Sequence, residues 1–126
     1  MNGRTPSKKE SLYIKACITI VGCIACRIEG YEVENPEVWT SFHHDPDFGS
    51  RQPGCHYHGF GLCAAHHQGA GVRQRHPARH VNESRFIAAY GTDAELCAET
   101  WKLIPPEIIE EIGFRLGVGE LAPIEK

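Results

Sequence analysis

Apolar and β-branched residues form short runs in the first half of the chain, separated by loops rich in Gly and Pro. The run "LYIKACITIV" is partly alternating and predicts a strand that ends at the turn "GCIAC". The segment "EVWTSFHH" predicts a second strand that ends on His43 and His44. After the loop "DPDFGSRQPG", the segment "CHYHGFGL" predicts a third short strand. The first half therefore predicts a small sheet.

The pattern then changes to helical segments with recognisable ends. The segment "LCAAHHQG" predicts a short helix closed by Gly69. Asn82 can cap "ESRFIAAYG", and either Thr92 or Asp93 can cap "AELCAETWKLI". The pair Pro105–Pro106 ends that helix, and Pro106 is suited to begin "PEIIEEIGFRLG". Strands followed by helices predict an α+β fold.

At 126 residues the chain suits one domain. Residues 1–10 are polar and are expected to be a flexible N-terminus, so the folded domain is predicted over 11–126. No window approaches the length of apolar sequence that a membrane span needs, and the N-terminus has no secretory signal pattern. We therefore expect a cytoplasmic protein without membrane contact.

The cysteines and histidines give the strongest chemical signal. The chain has 6 cysteines and 8 histidines, and every histidine falls between His43 and His80. Without a secretory signal, metal ligands or buried thiols are a better interpretation of the cysteines than disulfides. Cys17 and Cys97 lie in apolar patterns and are expected in the core, whereas Cys55 could be an additional ligand.

Two short motifs have the spacing of a closed tetrahedral zinc site. Cys23 and Cys26 form a C-x-x-C motif, and Cys63 and His66 form C-x-x-H. Each tight turn can place two ligands on one side of the ion, so the four residues together predict a structural Zn²⁺. The alternative for the C-x-x-C motif is a redox pair or two buried thiols.

The remaining histidines exceed what one zinc site needs. His43 and His44 are adjacent on a predicted strand and must point to opposite faces, so they cannot easily bind the same ion. If His43 shares a metal with His67, His44 is available as a general base. His76 follows a Gly-containing loop that can return it to the same ion. Three protein ligands with open positions are typical of a catalytic metal.

Charge is unevenly distributed about a formal net charge of −3. Most arginines lie near the histidine-rich segment, whereas the last third of the chain is mainly acidic. A local basic field suits a phosphate backbone even when the total charge is negative. The arginines expected to contact DNA, against the alternative of a solvated surface run, are Arg73, Arg75, Arg79 and Arg85.

The combination of "C-x-x-C", "HH" and "LCxxHH" resembles the HNH, or His-Me finger, endonucleases. More narrowly, "FHHDPDFGSRQPGCHYHGFGLCAAHHQG" with the trailing "RFIAAYGTDAELCAETW" resembles the Ref-type nucleases of phages and prophages, which are described as RecA-dependent HNH nucleases. The resemblance covers roughly residues 23–101. It implies a ββα-metal core over about 17–80, followed by C-terminal helices over about 82–117.

The resemblance also implies site roles, residue by residue. His44 matches the general base, His56 stands at roughly the position of the central Asn that orients this base, and His43, His67 and His76 match the ligands of one divalent ion, Mg²⁺, Mn²⁺ or Zn²⁺. The implied activity is phosphodiester hydrolysis in DNA recombination or processing, in the cytoplasm of a bacterial host, with DNA as substrate and a RecA filament as partner.

Two other classes of protein remain open on the sequence. A non-catalytic zinc-binding module would use all the ligands structurally and dock DNA or protein through its basic loop. A redox or acyl-transfer enzyme would need a reactive thiol beside a histidine, for which Cys55 next to His56 is the candidate.

Overall fold

The computed structural model describes residues 5–30, 33, 35–45, 54–68, 78–117 and 120–123. Its strands are β1 (Thr40–His44), β2 (Gly59–Cys63), β3 (Phe114–Gly117) and β4 (Glu120–Pro123), which form two separate antiparallel pairs. Within the described residues the α-helices are α1 (Lys8–Ala16), α2 (Ile24–Ile28), α3 (Pro36–Trp39), α4 (Ala64–Gln68), α5 (Glu83–Tyr90), α6 (Asp93–Lys102) and α7 (Pro106–Ile112). The predicted α+β class is confirmed.

The first strand predicted from the sequence is wrong, because residues 8–21 are helical. α1 continues directly into a π-helix over Cys17–Val21. A capping box begins α1: the amide of Glu10 donates to Ser7 Oγ (3.1 Å), and the amide of Ser7 donates to the Glu10 carboxylate (2.8 Å). Residues 8–10, which the sequence assigns to a flexible terminus, therefore belong to this helix.

β1 and β2 form an antiparallel hairpin that is tightly packed at two glycines. Thr40 pairs with Cys63 at one end, and His44 pairs with Gly59 at the other. A Cβ on Gly59 would lie 2.5 Å from the Phe42 ring, and one on Gly61 would lie 2.6 Å from a Thr40 methyl group. Glycine therefore occupies both positions because any side chain would clash with the neighbouring strand.

The hairpin is shorter than the two segments that predicted it. Residues 37–39 belong to α3 and not to β1, and Cys55–Tyr57 form a 3₁₀ turn before β2 begins. α4 follows β2 without an intervening turn, as expected for the predicted short helix. Its predicted stop at Gly69 lies outside the described residues. Two strands and a helix thus follow one another around the histidine-rich segment.

The predicted helix ends in the second half are confirmed, with one exception. The Asn82 side chain accepts from Arg85 N (3.2 Å) at the start of α5, and Thr92 rather than Asp93 caps α6. α7 begins at Pro106, but it ends at Gly113, which has φ +102°. Residues 114–117 form β3, so the helix predicted to about residue 117 is too long.

The core attaches the helices to β2. The rings of Tyr13 and Trp101 are stacked with centroids 4.2 Å apart. Tyr13 also donates a hydrogen bond to Gly59 O (2.6 Å), and Trp101 Nε1 donates to Tyr57 O (3.1 Å). α1 and α6 therefore bind β2 and the 3₁₀ turn that precedes it. None of the helices in the described part of the chain has the length and apolar character of a membrane span.

Candidate functional site

Four side chains with soft or borderline metal ligands meet where α2, β2 and α4 come together. Cys23 lies at the N-cap of α2, where its Sγ accepts from the amide of Cys26 (3.4 Å). Cys63 ends β2, and His66 lies on α4 within the same cluster. The structure therefore brings together the two motifs that the sequence paired, and the cluster could hold a metal such as zinc.

The spacing of these four ligand atoms matches a tetrahedron around zinc. Zn–S bonds of about 2.3 Å and Zn–N bonds of about 2.0 Å give tetrahedral edges of about 3.8 Å between sulfurs and about 3.5 Å from sulfur to nitrogen. Cys26 Sγ and Cys63 Sγ are 3.8 Å apart. His66 Nδ1 lies 3.4, 3.5 and 3.2 Å from the sulfurs of Cys23, Cys26 and Cys63. These residues fit a closed zinc site.

The other nitrogen of His66 is held by a carboxylate. His66 Nε2 lies 3.1 Å from Glu29 Oε1, and Glu29 also accepts a short hydrogen bond from the Tyr90 hydroxyl. His66 is completely buried. A carboxylate behind a histidine ligand fixes which ring nitrogen carries the proton, so His66 Nδ1 is left to face the sulfurs.

A second group of three histidines forms at the other side of α4. His67 Nε2 lies 3.3 Å from His43 Nδ1 and 3.0 Å from His80 Nε2. These separations fit the spacing of imidazole ligands around one ion with metal–nitrogen bonds of about 2.0–2.1 Å. The group could hold a metal ion. Burial, followed by the neighbouring imidazoles of His43 and His80, lowers the pKa of His67 to about 4, so it is neutral at pH 7, as a metal ligand must be.

His44 lies on the opposite face of β1 from this group. His44 is exposed, whereas His43 is only 6% exposed. His44 Nε2 lies 2.9 Å from His56 Nδ1, and its ring also contacts the edge of Phe42. Partial burial, followed by the nearby His56 and His43, lowers the pKa of His44.

The model of a protein family described as "Recombination enhancement, RecA-dependent nuclease" matches residues 7–104. The chain belongs to this family. No curated protein matches the chain.

The range matched by this nuclease family covers the main structural features of the candidate site. It begins at Ser7, which caps α1, and includes both candidate metal groups and the whole of α6. The hairpin of β3 and β4 lies beyond its end. The family match therefore covers the part of the chain that carries the clustered cysteines and histidines.

The arginines expected to contact DNA differ from one another in exposure. Arg85 is exposed on α5. Arg79 is buried, and both its Nε and its Nη2 donate to Asp93 (3.1 and 2.9 Å). Arg73 and Arg75 lie outside the described residues, as does His76, the expected third ligand of the catalytic ion.

The other cysteines lie outside both groups. Cys17, Cys55 and Cys97 are buried, and in the described part of the chain none of them belongs to a group of potential metal ligands. The core positions predicted for Cys17 and Cys97 are confirmed.

Sequence reasoning did not single out two residues that the structure places in or beside the histidine group. His80 belongs to this group, but its distance from His67 in the sequence gives no reason to prefer it to His76 as a ligand. Asp93 lies beside His43, whereas the sequence indicated only a possible helix cap, a position that Thr92 occupies.

Proposed function

We propose that this member of the RecA-dependent nuclease family is an HNH-type, metal-dependent DNA endonuclease with a ββα-metal core. The proposed core consists of β1, β2 and α4. A first support is the order of these elements, because an antiparallel hairpin runs directly into a helix that carries His66 and His67. A second support is that His66 and His67 lie in two different groups of potential metal ligands.

The single observation that carries the proposal is the division of His43 and His44 between the two faces of β1. His43 is buried beside His67 and His80, whereas His44 is exposed and contacts His56. A purely structural metal site would have no use for an exposed second histidine held by a hydrogen bond. The arrangement suits a metal ligand followed by a general base.

In the proposed reaction His44 takes a proton from the attacking water. This role requires the tautomer of His44 in which Nε2–H donates to Nδ1 of His56, 2.9 Å away, and Nδ1 of His44 is the proton acceptor. His56 thereby acts as the residue that orients the base, in place of an Asn. The backbone amide of His56 donates to the Glu10 carboxylate (3.4 Å), so α1 helps to fix the position of this histidine.

His43, His67 and His80 are the described residues that would hold the catalytic divalent ion, with His76 as a further candidate from the sequence. When bound, such an ion stabilises negative charge on the phosphate and on the leaving oxygen. The Ser41 hydroxyl lies 3.3 Å from His67 Nδ1 and orients this ring. Cys23, Cys26, Cys63 and His66 would hold a structural zinc ion.

DNA binding is proposed to involve Arg85, together with Arg73 and Arg75 from the sequence. Arg85 is exposed on α5, so its charge is accessible to a phosphate backbone. Contacts of this kind position the phosphate backbone and carry no sequence preference. The family description supports a RecA filament as partner and a role in recombination.

The test is substitution of His44 by alanine, assayed by nicking of plasmid DNA in the presence of Mg²⁺ or Mn²⁺. We expect a loss of about 100-fold or more, because general base catalysis contributes about 10²–10⁴-fold. His58→Ala is the matched control, since it removes a half-buried histidine of the same segment that belongs to neither group, and should retain activity. Metal content should be equal in both variants.

Two results would contradict the proposal. Full activity in the His44→Ala protein would show that His44 is not the general base. A single tightly bound zinc with no second, chelator-sensitive metal would favour the non-catalytic zinc-binding module. Single-stranded, duplex and D-loop DNA, each with and without RecA filaments, would identify the substrate and test the dependence on RecA.

A further inference from the structure

We propose that Asp93 is a positioning residue for His43: its carboxylate accepts the Nε2–H of this histidine and so directs Nδ1 toward the metal ion. This inference rests on the proposed function for the identity of the metal group. It adds an outer residue, contributed by α6, to a site otherwise built from the β1–β2 hairpin, α4 and the turn that carries His80.

The first observation is an unpartnered ring nitrogen. His43 Nε2 is buried and, as placed, has no hydrogen-bond partner. Buried polar atoms are almost always hydrogen-bonded, so a missing partner at this position needs a reason. Asp93 Oδ2 lies 3.7 Å away, which is just beyond hydrogen-bond range. A movement of well under 1 Å would close this gap and satisfy the nitrogen.

The second observation is that the Asp93 carboxylate is held in place. It is only 6% exposed, and Arg79 binds both of its oxygens at 3.1 and 2.9 Å. The Arg79 guanidinium therefore holds the Asp93 carboxylate in one orientation, with Oδ2 toward His43 Nε2.

The third observation connects this ion pair to the other ligands. The amide of Arg79 donates to His66 O (2.8 Å), and the amide of His80 donates to His67 O (3.0 Å). One turn therefore carries both the arginine that holds Asp93 and a candidate ligand, and hydrogen bonds attach it to the helix that bears His67. The position of Asp93 is thus fixed relative to all three histidines.

The ordinary alternative is that Asp93 only caps a helix or forms a stabilising ion pair. Capping does not need it, because Thr92 and Glu95 already form a capping box at the start of α6. An ion pair with Arg79 alone would not place a carboxylate oxygen beside the buried nitrogen of a candidate ligand. A carboxylate behind a histidine ligand raises its basicity and fixes its tautomer.

The experiment compares Asp93→Asn with wild type in the zinc-loaded, full-length protein. Co²⁺ is the probe, followed by visible absorption, and the expected result is a 10- to 100-fold weaker Kd, the usual effect of removing such an outer partner. Glu99→Gln is the matched control, because it makes the same carboxylate-to-amide change at an exposed position of α6. Its Kd should equal that of wild type.

A second readout separates positioning from loss of stability. Before Co²⁺ is added, ¹H–¹⁵N correlation spectra of the imidazole rings should show His43 as the Nε2–H tautomer in wild type, and as a mixture of tautomers in Asp93→Asn. Weaker Co²⁺ binding with an unchanged tautomer would overturn the inference, as would a Kd within twofold of wild type. If wild type binds no Co²⁺ beyond the cysteine site, the proposed metal group itself fails, whatever the tautomer shows.

Discussion

Removal of one thiol from the cysteine-containing group tests whether this group holds the fold together. Cys26 Sγ lies 3.8 Å from Cys63 Sγ and 3.5 Å from His66 Nδ1, so it joins α2 to both β2 and α4. Cys26→Ser replaces a thiolate ligand with a hydroxyl that is not ionised at neutral pH. Because metal binding is coupled to folding, we expect both zinc content and stability to fall.

The expected magnitude is large. Structural zinc contributes about 10–16 kcal/mol of apparent binding free energy in zinc-finger peptides. A domain of ordinary size has a net stability of about 5–15 kcal/mol. Loss of even half of the zinc contribution would therefore remove most of the stability of this chain. We expect the Cys26→Ser protein to be largely unfolded at room temperature and to show no cooperative transition on heating.

The assay is thermal unfolding followed by circular dichroism, with metal content measured on the same samples. Cys97→Ser is the matched control, since Cys97 is buried but belongs to no potential metal site and its Sγ donates to Tyr57 O (3.3 Å), a bond that a hydroxyl can replace. This control should keep its zinc and melt close to wild type. An unaltered melting curve in Cys26→Ser would refute the structural assignment of the site.

Two further substitutions test how the hairpin is held. Tyr13→Phe leaves the buried Gly59 carbonyl without the donor that now lies 2.6 Å away, and it should lower the free energy of unfolding by about 1–3 kcal/mol in urea titrations. A change below about 0.5 kcal/mol, typical of surface sites, would contradict this reasoning. Gly61→Ala places a Cβ 2.6 Å from Thr40 Cγ2 and 2.7 Å from Gly22 O. We expect overpacking to lower the free energy of unfolding by about 1–3 kcal/mol in the same assay. A variant as stable as wild type would show that the hairpin can accommodate the added methyl group, against this prediction.

Local chemistry explains what could be predicted from the sequence. Asn82 and Thr92 cap helices because their short polar side chains reach amides three residues ahead, and Pro106 begins α7 for an equally local reason. The motif spacings of Cys23–Cys26 and Cys63–His66 likewise depend on single turns of chain. Such features need no knowledge of distant contacts.

The incorrect first strand shows where local reasoning fails. The β-branched residues of 12–21 favour a strand, but the buried positions Tyr13, Ala16, Cys17 and Val21 fall at i, i+3, i+4 and i+8, as on one face of a helix. Which side chains are buried depends on the stack of Tyr13 on Trp101, a contact between distant parts of the chain. The capping box of Ser7 and Glu10 was a local signal for the helix that competed with β propensity.

The outer residues of the candidate site were out of reach for a related reason. Asp93 approaches His43 across the fold, and Arg79 joins it from a turn that is hydrogen-bonded through its backbone to α4. No motif spacing records such a contact. His44 and His56 form a pair for which the sequence supplied only a rough positional argument, and the 2.9 Å contact between them appears in the folded chain.

The close approach of Cys26 and Cys63 has a consequence for redox chemistry. The two sulfurs are 3.8 Å apart, and a disulfide requires about 2.05 Å, so the sulfurs would have to approach by about 1.75 Å to form one in the absence of a bound ion. Thiolates bound to a metal ion cross-link the chain without a disulfide bond, so reductants should leave the fold intact. Oxidants would instead remove two ligands at once and lock the segment in a form that no longer accepts a metal.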